Sequence, residues 1–166
     1  LSAREGLEFS TALVSDCAPL NHLVEKLIAA SPHIHCLRDP TRGGLSSTLN
    51  ELARQSEVGI WVEENRIPVR EEVRGACELL GFEPWNLANE GRLVAIVEAG
   101  AAETVLRGMK EHPLGRDAAM IGEVKEDPPG KVILRTPIGS TRLLDMMVGE
   151  PLPRIPPRSA LLALVY

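Results

Sequence analysis

The sequence predicts an α+β domain, or a closely related mixed α/β sandwich, in which helices cover a mixed β-sheet. Helical and strand periodicities alternate along the first part of the chain, and two short strand patterns flank a turn signal further on. The 166 residues suffice for one domain with a substantial core. Aromatic residues make up only 3% of the chain, so we expect a core of Leu, Val, Ile and Ala.

Four helices are predicted from apolar residues that recur three and four positions apart. They cover residues 20–30, 45–55, 69–80 and 101–110. Pro68 is expected in the first turn of the third helix, where its missing N–H has no cost. Gly81 is expected to end that helix in the left-handed conformation.

Strands are predicted where β-branched residues cluster or alternate with polar ones, at 33–38, 59–63, 93–97 and 119–124. The sequence Asp-Pro-Pro-Gly at 127–130 is a turn signal, which predicts a hairpin between Val124 and residues 132–134. The Pro-rich remainder is expected to be extended. Before the first helix, residues 1–8 are interpreted as an arm or a strand, and residues 10–16 as a short strand or a leading segment.

Charge and cysteine content narrow the function classes. A net charge of −5 without a basic block argues against a general nucleic-acid binder. No apolar run reaches the length of about 18 residues that a membrane span needs. The odd set of widely spaced cysteines, Cys17, Cys36 and Cys77, suggests reduced thiols in a cytoplasmic protein. The His-Ile-His-Cys stretch at 33–36 has no second ligand cluster, so we expect no metal site.

The first candidate site is the loop that joins the strand at 33–38 to the second helix. The Asp39-Pro40 pair favours a turn, and either Thr41 or Asp39 is expected to cap the helix through its side chain. Gly43 and Gly44 would leave backbone N–H groups open to a ligand. A helix N-terminus attracts anions, and Arg42 could clamp a phosphate. The alternative is an ordinary capped helix with a glycine turn.

The second candidate site is the polar stretch at 86–92, at the start of the strand at 93–97. Asn89, Glu90 and Gly91 are expected to line one side of a site, in which Glu90 serves as a general base or a metal ligand. The alternative is an Asx turn that leads into the strand. If both stretches belong to one site, they must converge on the same edge of the sheet. No Gly-rich phosphate motif of the Walker type and no local catalytic triad is present.

Several short motifs, taken in order, resemble the C-terminal domain of the hydrogenase maturation factor HypE. They are Val14-Ser15-Asp16, Pro19-Leu20-Asn21, Asp39-Pro40-Thr41-Arg42-Gly43-Gly44-Leu45, Asn50-Glu51, Ala88-Asn89-Glu90-Gly91, Gly122-Glu123-Val124 and Glu150-Pro151-Leu152-Pro153-Arg154-Ile155. That family belongs to the superfamily of aminoimidazole ribonucleotide synthetase and selenophosphate synthetase. The resemblance implies the fold of the synthetase's C-terminal domain, with residues 1–155 as a single domain and 156–166 as an atypical tail.

The resemblance implies an ATP-dependent dehydratase that converts a cysteine-bound thiocarboxamide into a thiocyanate, whose cyano group passes to the iron of nickel–iron hydrogenase. Thr41, Arg42, Gly43 and Gly44 would bind the phosphates of the nucleotide. Glu90 would act as the base, with Asp39 as the other catalytic candidate. Asn89 would orient the amide substrate.

The resemblance also implies ATP and Mg as cofactors of a longer parent protein, with none bound to this fragment alone. Its partners would be the carbamoyltransferase HypF and the HypC–HypD scaffold, and it would form a homodimer through an N-terminal domain that this chain lacks. The family's tail ends with a cysteine directly after Pro-Arg-Ile, whereas Pro156 stands here. We therefore expect the fragment alone to be inactive. The alternatives are a partner-docking domain without catalysis and another ATP-dependent synthetase of the superfamily.

Overall fold

The computed structural model describes residues 15–146, which form four α-helices and six β-strands. The sequence interpretations of residues 1–14 and of the tail after residue 146 lie outside the described part. In chain order the elements are α1 (Asn21–Ala30), β1 (Ile34–Arg38), α2 (Gly44–Ser56), β2 (Gly59–Glu63), α3 (Glu71–Leu80), β3 (Val94–Val97), α4 (Ala102–Lys110), β4 (Gly122–Lys125), β5 (Lys131–Arg135) and β6 (Thr141–Leu143).

All four predicted helices are confirmed to within about two residues, the usual uncertainty of a helix end. Gly81 ends α3 with a φ of 69°, as its position predicted. The placement of Pro68 in the first turn of that helix is wrong. Arg70 is the N-cap and α3 begins at Glu71, so Pro68 lies in the extended chain that precedes the helix.

The strands form two sheets. β1 and β3 pair antiparallel in a two-stranded sheet, with Arg38 opposite Val94. The other sheet has the order β4-β2-β5-β6, in which β2 pairs antiparallel with β4 and parallel with β5. This second sheet is mixed, which confirms the predicted fold class.

The hairpin predicted between Val124 and residues 132–134 is wrong, because β2 lies between β4 and β5. Gly59 of β2 is opposite both Lys125 and Lys131, and the turn at 126–130 crosses the end of β2. The N–H of Gly130 donates to the carbonyl of Val58 at 2.9 Å. A buried strand needs hydrogen-bond partners on both edges, and β4 and β5 supply them on the two sides of β2. The strand predicted at 119–124 begins three residues later, and β6 was not predicted.

The core consists of two apolar clusters. In one, Leu45, Leu49 and Ala53 of α2 pack against Ile60, Val62, Val132 and Leu134 of the mixed sheet. In the other, Leu23 and Leu27 of α1 and Val105 of α4 cover the β1–β3 sheet. Burying one such Leu, Ile or Val side chain contributes about 1.5–3 kcal/mol. None of the helices within residues 15–146 has the length and apolar character to cross a membrane.

Helix α2 also carries a buried polar network that fixes the end of the described chain. The Asn50 amide donates to the carbonyl oxygens of Leu144, at 2.6 Å, and Ser46, at 3.0 Å. The Ser46 hydroxyl donates to the carbonyl of Asp145 at 2.7 Å. Because the acceptors are main-chain groups, the chain after β6 is tied to α2 whatever its side chains.

Candidate functional site

The two candidate loops meet at one edge of the β1–β3 sheet. Since these strands are antiparallel, the end of β1 and the start of β3 lie side by side. The backbone N–H of Asn89 donates to the carbonyl of Pro40 at 3.0 Å, which joins the loops directly. The predicted convergence is confirmed. We call the segments that meet here, residues 16–18, 39–44 and 85–92, the rim.

The glycines of the first loop serve close backbone packing. Gly43 and Gly44 have φ values of 66° and 62°, a region that favours glycine. A Cβ on Gly44 would overlap the carbonyl oxygen of Leu87 and come within 2.5 Å of that of Trp85. Gly44 is buried, and its N–H points back to the carbonyl of Thr41 at 3.4 Å. The second loop therefore lies directly against the first residue of α2.

The prediction that Thr41 or Asp39 caps α2 through its side chain is wrong. Gly43 occupies the N-cap position in the left-handed conformation, and no side chain of the described residues makes a capping bond there. A left-handed residue turns the chain into the helix by itself. The Thr41 and Asp39 side chains are thereby not committed to capping.

Most of the first loop remains accessible to a ligand. Arg42 and Asp39 are exposed, and Thr41 and Gly43 are half-buried. Among the described residues, Arg42 makes no ion pair or hydrogen bond. Arg42, Thr41 and Gly43 suit one wall of a phosphate site, whereas the Asp39 carboxylate would repel an anion. The specific roles predicted for Thr41, Arg42, Gly43 and Gly44 stay predictions.

The second loop presents Asn89 and Glu90 at the same rim. The Asn89 side-chain amide donates to the carbonyl of Leu87, two residues earlier, at 2.7 Å, which holds the side chain against its own turn. Glu90 is exposed, and within residues 15–146 its carboxylate has no hydrogen bond or ion pair. An open carboxylate beside a fixed backbone turn is free to accept a proton. The catalytic roles of Glu90 and Asp39 and the orienting role of Asn89 stay predictions.

A third segment completes the rim, and sequence reasoning did not assign it to the site. A Cβ on Gly91 would overlap the carbonyl oxygen of Asp16 and come within 2.6 Å of the backbone nitrogen of Ala18. The carboxylate of Asp16 faces the Arg92 guanidinium, with 3.6 Å between Oδ2 and Nε. Asp16 and Arg92 are far apart in the sequence, and only the resemblance of the Val-Ser-Asp motif drew attention to this segment.

Two further polar contacts lie near the two ends of β1. Arg38, the last residue of β1, pairs with Glu51 of α2 at 2.8 Å and fixes the start of the first loop. The Nδ1 atom of His33 lies 2.7 Å from Oε2 of Glu98. Nowhere in residues 15–146 do three or more His, Cys, Asp or Glu side chains form a group that could hold a metal.

Comparison with known proteins gives the family. The sequence profile described as "AIR synthase related protein, C-terminal domain" matches residues 1–135. The chain is 55% identical over 155 residues to the carbamoyl dehydratase HypE of Azotobacter vinelandii, a match that covers 93% of this chain and 46% of the relative. The chain thus spans about half the length of the relatives it matches.

Solved structures agree with this assignment. A crystal structure of hydrogenase maturation protein HypE in complex with ATP superposes with a TM-score of 0.85 and 46% identity, covering 90% of this chain and 47% of that chain. A crystal structure of the HypE–HypF complex gives a TM-score of 0.81 and 45% identity, with coverage of 90% and 47%. The HypE resemblance seen in the sequence motifs is confirmed. The chain belongs to the family of AIR synthase related protein C-terminal domains and, within it, to the HypE type.

Proposed function

We propose that this chain is part of an ATP-dependent dehydratase that converts a cysteine-bound thiocarboxamide into a thiocyanate. The cyano group would become a cyanide ligand of the iron in nickel–iron hydrogenase. The observation that carries the proposal is the hydrogen bond from Asn89 to Pro40, which brings the exposed Arg42 and the exposed Glu90 to one rim. The similarity to the A. vinelandii carbamoyl dehydratase supports it.

The first chemical requirement is a leaving group. An amide oxygen leaves poorly, and ATP, when bound, supplies the phosphoryl group that turns this oxygen into a phosphate. The chain's contribution is to stabilise the charge that develops on that group. Arg42 would do so through its free guanidinium, and Thr41 and Gly43 would add a hydroxyl and a backbone N–H.

The second requirement is a base, because the amide nitrogen must lose protons as the nitrile forms. Glu90 would accept a proton, since its carboxylate is exposed and without a partner in the described part of the chain. Asn89 would orient the amide from the adjoining position. Asp39, exposed at the start of the first loop, is the other candidate for proton transfer.

The remaining cofactors and partners are proposed from the relatives. Mg would accompany ATP, and the described residues hold no group of metal ligands, so its ligands would come from the rest of the protein. HypF is the proposed partner, because a structure similar to this chain is a HypE–HypF complex. The HypC–HypD scaffold, a homodimer formed outside this chain and a cytoplasmic location follow from the same resemblance. The isolated chain is expected to bind ATP weakly and to lack turnover.

A chimera tests the proposal. Residues 1–155 of this chain replace the matching 155 residues of the A. vinelandii protein, which keeps its own flanking residues. Glu90→Gln preserves shape but removes the base, so we expect ATP binding to survive while turnover falls about 10²-fold or more. Glu103→Gln is the matched control, because Glu103 is exposed on α4, beyond the far end of β3. Full turnover in a folded Glu90→Gln chimera would remove Glu90 from the mechanism.

A partner-docking domain without catalysis is the second candidate, because Pro156 stands where the family's tail has its cysteine. The unsubstituted chimera regains the relative's own tail in place of Pro156, so there the two candidates differ in whether the rim of this chain still supports the reaction. A dehydratase domain gives ATP-dependent turnover, whereas a docking domain binds HypF and leaves the amide unchanged.

A further inference from the structure

We propose that Asp16 is a positioning residue of this site, which holds the guanidinium of Arg92 away from Glu90 and so keeps the Glu90 carboxylate free. The proposal rests on the function proposed above, in which Glu90 accepts a proton from the substrate. It assigns a role to a segment that neither of the two polar loops includes.

The backbone places Asp16 beside the turn that carries Glu90. The carbonyl oxygen of Asp16 lies so close to Gly91 that no side chain fits at position 91. The leading segment therefore packs directly against the turn. The Asp16 carboxylate then lies 3.6 Å from the Arg92 guanidinium, with side chains 35% and 43% exposed.

Besides Glu90, four charged side chains belong to the segments that meet at this turn. Asp16 comes from the leading segment, Asp39 and Arg42 from the first loop, and Arg92 from the turn itself. The nearby Arg38 is engaged by Glu51. Arg42 is assigned to the phosphate in the proposed function, so Arg92 is the cation that would otherwise be free to reach Glu90.

A free Arg92 would impair a base two residues away in the chain. A guanidinium in contact with a carboxylate favours its ionised form and occupies its oxygen lone pairs. Glu90 would then bind protons less readily and would have to break an ion pair before it could act. Asp16 prevents this by offering Arg92 another carboxylate, on a segment that packs directly against the turn.

The alternative is an ordinary surface ion pair, which contributes about 0–1 kcal/mol to stability. The two roles differ in what happens when Arg92 is also removed. A stabilising pair is lost in either single variant, and the double variant does not recover. If Asp16 instead serves to occupy Arg92, it is needed only while Arg92 is present, and the double variant recovers.

The experiment uses the chimera and its pH–rate profile. For Asp16→Asn we expect turnover at the plateau to fall about three- to tenfold and the acidic limb to move to lower pH, because a weaker base is ionised at lower pH. Arg92→Gln alone should stay near the parent chimera. The double variant Asp16→Asn with Arg92→Gln should regain the parent's plateau and acidic limb.

Several outcomes would overturn the proposal. One is an unchanged profile for folded Asp16→Asn, and another is a double variant as impaired as Asp16→Asn. A third is a loss of turnover in Arg92→Gln alone, which would mean that Arg92 itself serves the reaction. Glu63→Gln is the control, because it removes a pair of similar exposure on the mixed sheet. Failure of the proposed function is distinguished by an inactive parent chimera or a fully active Glu90→Gln.

Discussion

The rim and the outer face of the mixed sheet use charged residues in opposite ways. The outer face includes Trp61, Glu63, Glu123, Lys125 and Arg135. Along β2 and β5 these residues alternate with buried side chains of the core, whereas all four residues of β4 are exposed. Its charges are paired with each other, Glu63 with Arg135 and Glu123 with Lys125, both at 2.6 Å. Lys125 and Arg135 also lie over the Trp61 ring, 5.0 and 5.6 Å from its centroid.

At the rim the backbone is tightly packed and, apart from the pair between Asp16 and Arg92, the charges are open. Gly44 and Gly91 lie against the carbonyl oxygens of other segments, with no room for a side chain. Asp39, Arg42 and Glu90 are exposed and have no ion pair with the described residues. The closely packed backbone sets where these three side chains start, and their charges stay available to a ligand. The outer face instead satisfies its own charges, as an ordinary solvated surface does.

The largest expected effect comes from filling the tight packing of the rim. Gly44→Ala forces a left-handed Ala and a clash with the Leu87 and Trp85 carbonyls, so we expect a loss of about 2–5 kcal/mol in the free energy of unfolding. Urea unfolding measures this loss. Gly75→Ala is the matched control, because Gly75 lies within α3 with open space around it, and Ala there should stabilise by about 0.5–1 kcal/mol. Equal stability of Gly44→Ala and the parent would contradict the packing described for the rim.

A smaller effect is expected on the outer face. Glu63→Gln removes the pair with Arg135, whose side chain is 41% exposed, and should lower the free energy of unfolding by about 0–1 kcal/mol. The difference should shrink further at high salt, because exposed charges are screened. If this variant lost as much stability as Gly44→Ala, the contrast between the two regions would be wrong.

The third prediction concerns Cys77, a buried residue of α3, and its effect on stability is expected only at alkaline pH. Burial raises the pKa of the Cys77 thiol above its ordinary value of 9.0, a change that Arg74 opposes and Glu78 reinforces. A folded-state pKa above the unfolded one adds stability that is complete below the unfolded value. That stability is lost as the pH rises through the folded value. Unfolding free energy should therefore decline above about pH 9 in the parent.

Cys77→Ala should lack this part of the decline, and urea unfolding at several pH values compares the two proteins. Alkylation gives an independent reading, because only the thiolate reacts. Cys77 is buried, whereas Cys36 is half-buried, so Cys36 should be modified first in the native protein. Similar alkylation rates of Cys36 and Cys77 in the folded protein would indicate that α3 opens readily.

Each error of the sequence interpretation has a physical reason. The turn at 127–130 was recognised, yet turn chemistry determines only that the chain reverses, and β2 entered between the two strands. The three residues of β6 have no period of their own and form a strand because they pair with Ile133 to Arg135. Polar residues before α2 suggested a side-chain cap, whereas a left-handed Gly43 made it unnecessary.

The sequence by itself determined the helices, most strands and the two polar loops, because periodicity and turn residues act within a few positions of each other. It also indicated the family, through motifs that are short and local. Only the tertiary structure decided that β2 separates β4 from β5, that Gly44 is held by the second loop, and that Asp16 reaches Arg92. These contacts join distant parts of the chain, and they follow from which surfaces pack together rather than from any local pattern.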